Sequence, residues 1–353
     1  MKEFKTNTII FTIIFITSSF IQAENSGNEI IFKTNLINNY LLHIFCVAEI
    51  GEFKSDSDYA EKYKFTVDST DLIKLKNNEE NLAFADGKAG KFTYFCFFLP
   101  SYLELNNKEE FIQYYAILQK SLETNDFQEF MEKYSIPTDD PFISENLNFW
   151  LNIPDSIHQQ MVAPVNDEFK KVSEIFIKNL DSYEKHVWPH AKEELENQIR
   201  YYTKLFKKEK FIQKWENFTK LKFGADYQIF LTYSNKKGPN ANSMSFDKNM
   251  FYYNFSDQRI LDFVNHEIGT HLIVPLFWND KRIEPYFAED FSKVYNAIEV
   301  LCLFYNKKIF NKDSLGYNMN DYDADEYEKI YNKYYTEEIS HIDLLLKGIE
   351  EIE

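Results

Sequence analysis

The chain has little of what makes tight turns or covalent crosslinks. Nine Gly and nine Pro in 353 residues, set against 34 Phe and 24 Tyr, point to a helix-rich protein with few sharp turns. Cysteine is scarce: Cys46, Cys96 and Cys302 are an odd number, each embedded in apolar sequence. No CxxC pair exists, so a thiolate zinc site and thioredoxin-type chemistry have no support, and a dense disulfide framework is excluded. Three such cysteines are expected to behave as small buried hydrophobes. There is no internal repeat, no low-complexity linker and no nucleophile elbow that would support Ser-His-Asp chemistry. Positive charge is also short, with 39 Lys and Arg against 56 Asp and Glu. A surface with this balance repels phosphate backbones, which argues against nucleic acid and anionic membranes as partners.

One long apolar run is present, and it stands first. Lys2 and Lys5 precede an apolar stretch from Thr8 to Phe20, and Ile21-Gln22-Ala23 ends in a small residue before Glu24. This is the three-part layout of a secretory signal peptide, shorter than the roughly 20 residues a spanning helix needs. Cleavage after residue 23 would remove Lys2, Glu3 and Lys5, a net +1, and take the formal charge from −17 to −18. The expected product is exported, secreted or periplasmic, without stable membrane insertion.

The rest of the chain is rich enough in hydrophobic residues, at 44%, to bury a large core. Residues 33–48 carry apolar side chains at helical spacing. Phe92 to Leu99 is almost wholly apolar and reads either as a buried strand or as a helix end stopped by Pro100. Helices are expected over Lys108–Glu123 and Asp126–Tyr134, then as long amphipathic elements from Asp155 to Phe218, punctuated near Pro164 and Pro189. The character changes at Tyr227–Tyr233, which is short, aromatic and β-branched, hence a strand. A turn cluster follows at Lys236–Asn242, then strand character over Ser243–Phe255. Ser256 reads as the N-cap, and Asp257 as a first-turn acid, of a helix running to about Leu276. Helical pattern returns over Phe287–Tyr305 and from Asp325 onward. The order implies an α+β fold: long helices, a small antiparallel sheet, then helices. Three regions are expected: 1–23 as signal peptide, 24–225 as a helical N-terminal region, and 226–353 carrying the chemistry.

That chemistry is concentrated in His266-Glu267-Ile268-Gly269-Thr270-His271. Neutral imidazoles ligate zinc, and a carboxylate beside the metal can take the proton of a bound water. In the familiar H-E-x-x-H form the two histidines share one helix face. Here they stand at i and i+5, about 140° apart on an ideal helix, and Thr270 occupies the usual place of the second ligand. Two arrangements are open. A π-bulge would return His266 and His271 to one face, with Gly269 lowering its local cost. A regular helix would leave the site broken and His271 an ordinary histidine. Catalytic zinc usually keeps a third protein ligand. Of Glu284, Glu289, Asp290 and Glu299, the last is the best choice, because it interrupts the very apolar stretch Tyr295–Phe304, where a lone carboxylate is costly. Glu289 and Asp290 suit solvent or a hydrogen bond to a ligating imidazole. His341, Tyr331, Tyr334 and Tyr335 are conceivable oxyanion donors, although ordinary packing explains them better in so tyrosine-rich a chain.

At these residues the sequence resembles the tyrosine carboxypeptidase-type zincins, which use H-E-x-x-x-H and a Glu from a following helix; Glu299 matches that Glu in order and rough spacing. The stretch through Val274-Pro275-Leu276 is also similar to a secreted, uncharacterised bacterial family of zincin-like proteins with the pattern H-E-x-x-H and an apolar run ending Pro-Leu. Aligned without a gap, the second His of that pattern falls on Thr270. The likeness covers roughly Asp226 to the C-terminus and is specific only around the motif. It implies a gluzincin-like core, with Zn2+ held by His266, His271 and Glu299, and Glu267 activating water against a peptide or protein substrate. It also implies an exposed edge strand within Ser243–Phe255 that pairs with an extended peptide, with Tyr252 or Tyr253 near the cleft. The alternative implication is a secreted zincin-like binding protein without catalysis.

Overall fold

A computed structural model describes residues 29–85, 88–136, 143, 147, 151–236, 241–278, 280–317, 319 and 322–352. Residues 1–23, expected as a signal peptide, and residues 237–240, within the expected turn cluster, lie outside the described residues. The protein is α+β, mostly helical with a small four-stranded mixed sheet. No helix among the described residues is long and apolar enough to cross a membrane. The chain divides into two compact units.

The first unit takes residues 35–192 and a return segment after residue 231. Its centre is helix α1, Leu36–Val47, in which every residue is buried. Asn35 starts the helix by accepting a hydrogen bond from the Asn38 amide, the ordinary role of an N-cap. Helix α2, Lys108–Thr124, begins in the same way at Asn107, with Glu109 and Glu110 in the first turn. Helix α3, Ala163–His186, carries Pro164 in its first turn, where the missing N–H costs nothing. Tyr40 of α1 donates its hydroxyl to the Phe176 carbonyl of α3, 2.5 Å away. The ambiguous stretch Phe92–Leu99 is neither strand nor helix end. Tyr94–Phe98 makes a π-helical turn that continues into an α-helical turn, Leu99–Tyr102, in whose first turn Pro100 sits. Cys46 and Cys96 are buried and unpaired in this unit, as is Cys302 in the other.

The second unit takes residues 29–34, 193–231 and 241–352. The unit boundary falls inside helix α4, Trp188–Phe206. Strand β1, Ile30–Lys33, was not legible in the sequence. It pairs in parallel with β2, Tyr227–Thr232, matching Ile30 to Tyr227 and Lys33 to Phe230, and this makes the sheet mixed. Strands β3, Ala241–Ser245, and β4, Lys248–Tyr252, form an antiparallel hairpin with a bulge between Ser243 and Ser245. The strand order is β1-β2-β4-β3. Within the hairpin the edge strand is therefore β3; β4, which leads into the following helix and carries Tyr252, lies between two other strands. Tyr253 is engaged by the Glu194 carboxylate.

Helix α5, Phe211–Thr219, packs against helix α6, Asp257–Trp278, which carries the motif. Ser256 caps α6, accepting from the Arg259 amide at 3.4 Å, and Pro275 is carried inside its last turn. Helix α7, Phe291–Phe310, lies against α6 and starts at Asp290, whose side chain accepts from the Lys293 amide. Helices α8, Ala324–Tyr334, and α9, His341–Glu351, complete the layer. Tyr327 and Tyr331 of α8 donate to the Lys293 and Ala297 carbonyls of α7 at 3.0 and 2.7 Å.

Candidate metal centre

The motif sits in the middle of α6, the most enclosed part of that helix, because Ile260, Phe263, Val264, Ile268 and Leu272 are buried around it. The 22 residues of α6 are α-helical throughout, with no π turn at Ile268–Thr270. Of the two arrangements left open, a π-bulge and a regular helix, the helix is the regular one, and Gly269 serves a different purpose. A Cβ on Gly269 would lie 2.2 Å from Cζ2 of Trp215, so the glycine lets the α5 indole reach the α6 backbone. There the Trp215 Nε1–H donates to the Asn265 carbonyl and to its side-chain oxygen, at 2.8 and 2.9 Å. Thr270 turns its hydroxyl back to the His266 carbonyl at 3.2 Å.

His266 and Glu299 meet. The imidazole Nε2 lies 2.9 Å from Oε2 of Glu299 across the α6–α7 contact. The His266 side chain is 1% exposed and that of Glu299 12%, so the pair is shielded from bulk water. Phe263 stacks on the His266 ring and Tyr317 meets it edge-on, with centroids 6.0 and 5.4 Å away. The Nδ1 of His266 is buried with no hydrogen-bond partner. Tyr295, one turn before Glu299 on α7, is also coupled to that carboxylate. The other acids are elsewhere: Glu284, Glu289 and Asp290 are exposed, and Asp290 is the N-cap of α7.

Glu267 and His271 face the hairpin. Asn249 of β4, wholly buried, donates from Nδ2 to Oε2 of Glu267 at 3.0 Å. The same amide nitrogen reaches Ser243 Oγ and the Tyr227 hydroxyl, each at 3.2 Å. Ser243 Oγ in turn lies 2.8 Å from Nε2 of His271, and the Tyr227 ring stands edge-on to that imidazole. Burial pushes the Glu267 carboxyl up to about 7, with the charge of Glu299 adding to the effect, while His266 and the Asn249 hydrogen bond oppose it. Burial also holds His271 down to about 4, against the pull of the Phe246 backbone, Asp247 and Glu299. Near neutral pH the site therefore holds a neutral imidazole at His271 and a carboxyl at Glu267 poised to exchange a proton.

The donor chemistry, two imidazoles and a carboxylate, suits zinc. In position, two of the three donors are together, and His271 is held toward the sheet. Among the described residues no three His, Cys, Asp or Glu side chains are grouped so as to hold a metal ion. The late tyrosines and His341, for which packing was the better reading, make structural contacts. Tyr331 and His341 are tied to backbone carbonyls of α7 and α5, and Tyr334 to Glu351. Ser243, Asn249, Tyr227 and Tyr295 were not singled out from the sequence. The one available signal was asparagine at 249, a poor strand former inside an aromatic strand. Comparison of the chain with protein-family models, curated proteins and solved structures finds no match in any of the three.

Proposed function

We propose that this protein is an exported zinc-dependent peptidase, with Glu267 as general base and the metal held by His266, Glu299 and His271. The observation that carries the reading is the approach of His266 Nε2 to Glu299 Oε2, 2.9 Å across two packed helices and 33 residues apart. A buried imidazole and carboxylate placed in contact, beside a second carboxylate with a raised proton affinity, are the parts that metal-assisted hydrolysis needs. Zinc, when bound, would lower the pKa of a coordinated water and polarise the scissile carbonyl. The chain's own contribution is to keep the site dry, to hold Glu267 by the Asn249 amide, and to let Glu267 accept and return a proton near neutral pH. Export is supported by the N-terminal Lys2, Lys5 and apolar run.

The rival reading, a secreted zincin-like binding protein without catalysis, is favoured by one observation: His271 is bonded to Ser243 and stands apart from the His266–Glu299 pair. Metal analysis of the purified protein, combined with hydrolysis of a mixed peptide library, separates the two. The peptidase reading expects about one zinc per chain and activity abolished by chelators. His271→Ala is then expected to lose zinc as completely as His266→Ala, and Thr270→Ala to retain it. A chain that takes up no zinc at neutral pH sinks the catalytic reading.

A further inference from the structure

We propose that the lysine-rich end of the second unit, where α4 passes into α5, is a docking surface for a membrane of anionic phospholipid. Residues 200–222 hold Arg200 and seven lysines against Glu209 and Glu216, a local +6 in a chain of formal charge −17. The acidic remainder does not cancel this, because at physiological salt charges more than about 8 Å away are largely screened. Three aromatic rings gather the surface. Phe206 at the end of α4, Phe211 at the start of α5 and Phe310 at the end of α7 stand in a row, with centroids 5.5 and 5.3 Å apart. Around them Lys204, Lys207 and Lys208 close α4, Lys210 takes the N-cap position of α5, and the Lys214 Nζ lies 4.4 Å from the Phe310 ring centroid. Lys204, Lys207, Lys208 and Lys210 are exposed and make no ion pair among the described residues. Lys214 shares its charge with Glu209 at 3.5 Å.

Local stability explains part of this and not the rest. A lysine in the last turn of α4 complements the negative pole of the helix dipole, and Lys204 needs no other reason to be there. Lys210 and Lys214 stand at the opposite pole, at the start of α5, where a positive charge is unfavourable and no acid occupies the first turn. A lysine also has no acceptor with which to cap a helix, and Lys210 makes no capping hydrogen bond. Lys207, Lys208 and Lys210 repel one another across the turn. Charges that oppose the local fold and have no partner within it point to a partner outside it. Lysines on flexible stems suit a fluid layer of phosphate headgroups, whereas the fixed phosphates and bases of nucleic acid favour the bidentate fork of arginine. The docking is peripheral, since no helix among the described residues is long and apolar enough to cross the membrane.

The experiment is co-sedimentation of the full chain with phosphatidylcholine vesicles, with and without phosphatidylglycerol, at low and high salt. Wild type is compared with a patch variant, Lys207→Glu/Lys208→Glu/Lys210→Glu. A control of the same net charge, Lys133→Glu/Lys170→Glu/Lys281→Glu, changes exposed lysines elsewhere in the chain. The apolar N-terminal run is common to all three, so the difference between them reads the patch. Wild type is expected to bind far more tightly when phosphatidylglycerol is present, and to lose that gain at high salt. The patch variant should bind those vesicles at least about a hundredfold more weakly, from about fivefold for each lysine. The control is expected to bind as wild type does. Wild-type binding that phosphatidylglycerol does not strengthen overturns the proposal, as does a control that loses as much as the patch variant. Tighter binding of wild type to a DNA duplex than to the anionic vesicles, lost in the patch variant, assigns the surface to nucleic acid and also overturns it. Should the patch variant fail to fold, wild type alone decides: binding to anionic vesicles that high salt leaves undiminished overturns the docking surface.

Discussion

His43 in the first unit and His266 in the second are the same residue in equally dry surroundings, 0% and 1% exposed. Their partners differ. His43 has a hydroxyl on each ring nitrogen, Tyr59 on Nδ1 and Thr66 on Nε2, both at 2.8 Å. Burial lowers its pKa to about 3, so it stays neutral, and both of these hydrogen-bond partners are uncharged hydroxyls. His266 has a carboxylate on one nitrogen and nothing on the other. The valences of His43 are filled by neutral groups, as in an ordinary core; His266 is left half-filled beside two carboxylates, which is why the proposed function rests on it. Burial alone does not separate a structural from a functional histidine. The partners of the ring nitrogens are where these two histidines differ.

The comparison is tested most severely at Glu267. Replacing it with Gln keeps the volume and an acceptor for Asn249, so the fold and the metal are expected to survive while the rate falls by about 10²–10⁴. Steady-state turnover on a cleaved peptide measures this, and an unchanged rate removes Glu267 from the mechanism. Next comes the histidine pair itself. His266→Ala is expected to abolish zinc binding. His43→Ala is expected to keep it, while losing about 1–3 kcal/mol of stability through its orphaned hydroxyl partners. Metal content and chemical denaturation of both variants decide, and zinc loss in His43→Ala would erase the distinction drawn here.

Gly269 gives a smaller and purely structural effect. Gly269→Ala drives a methyl into the Trp215 ring and is expected to cost about 1–3 kcal/mol, despite the better helix propensity of Ala. A denaturation midpoint at or above wild type would show that the α5–α6 contact is looser than described.

The smallest expected effect is in pH dependence. Glu267, raised from its ordinary 4.5 to about 7, binds its proton more tightly folded than unfolded, so stability falls as pH rises through that window. His271, lowered from 6.5 to about 4, does the reverse, and stability rises over its window. Between pH 4.5 and 6.5 the two slopes oppose each other. In chelator, the metal-free Glu267→Gln variant should therefore gain stability with rising pH where wild type stays nearly level. Parallel melting curves for the two would contradict the burial of Glu267.

How far the site was legible depended on whether the signal was local. Glu299 was readable because a single carboxylate in Tyr295–Phe304 has to answer to something, and it answers to His266. The role of Gly269 was not readable, since its cause is a Trp ring 54 residues earlier in the chain. The same holds for Asn249 and Ser243: an asparagine and a serine in a strand gain meaning only from the residues that end up opposite them. Strand β1 is an extreme case, four residues whose partner, β2, begins almost two hundred positions later.

The sequence by itself determined the α+β class, the helix that carries His266, Glu267 and His271, its start at Ser256, and the second helix that carries Glu299, because propensity, capping and apolar periodicity act within a few residues. Tertiary structure alone decided that α6 stays regular, that Trp215 fills the space above Gly269, that β3 and not β4 is the edge, and that His271 is bonded to Ser243. Each of these is an outcome of packing between segments far apart in the chain, where the contact that settles the matter does not exist until both sides have folded.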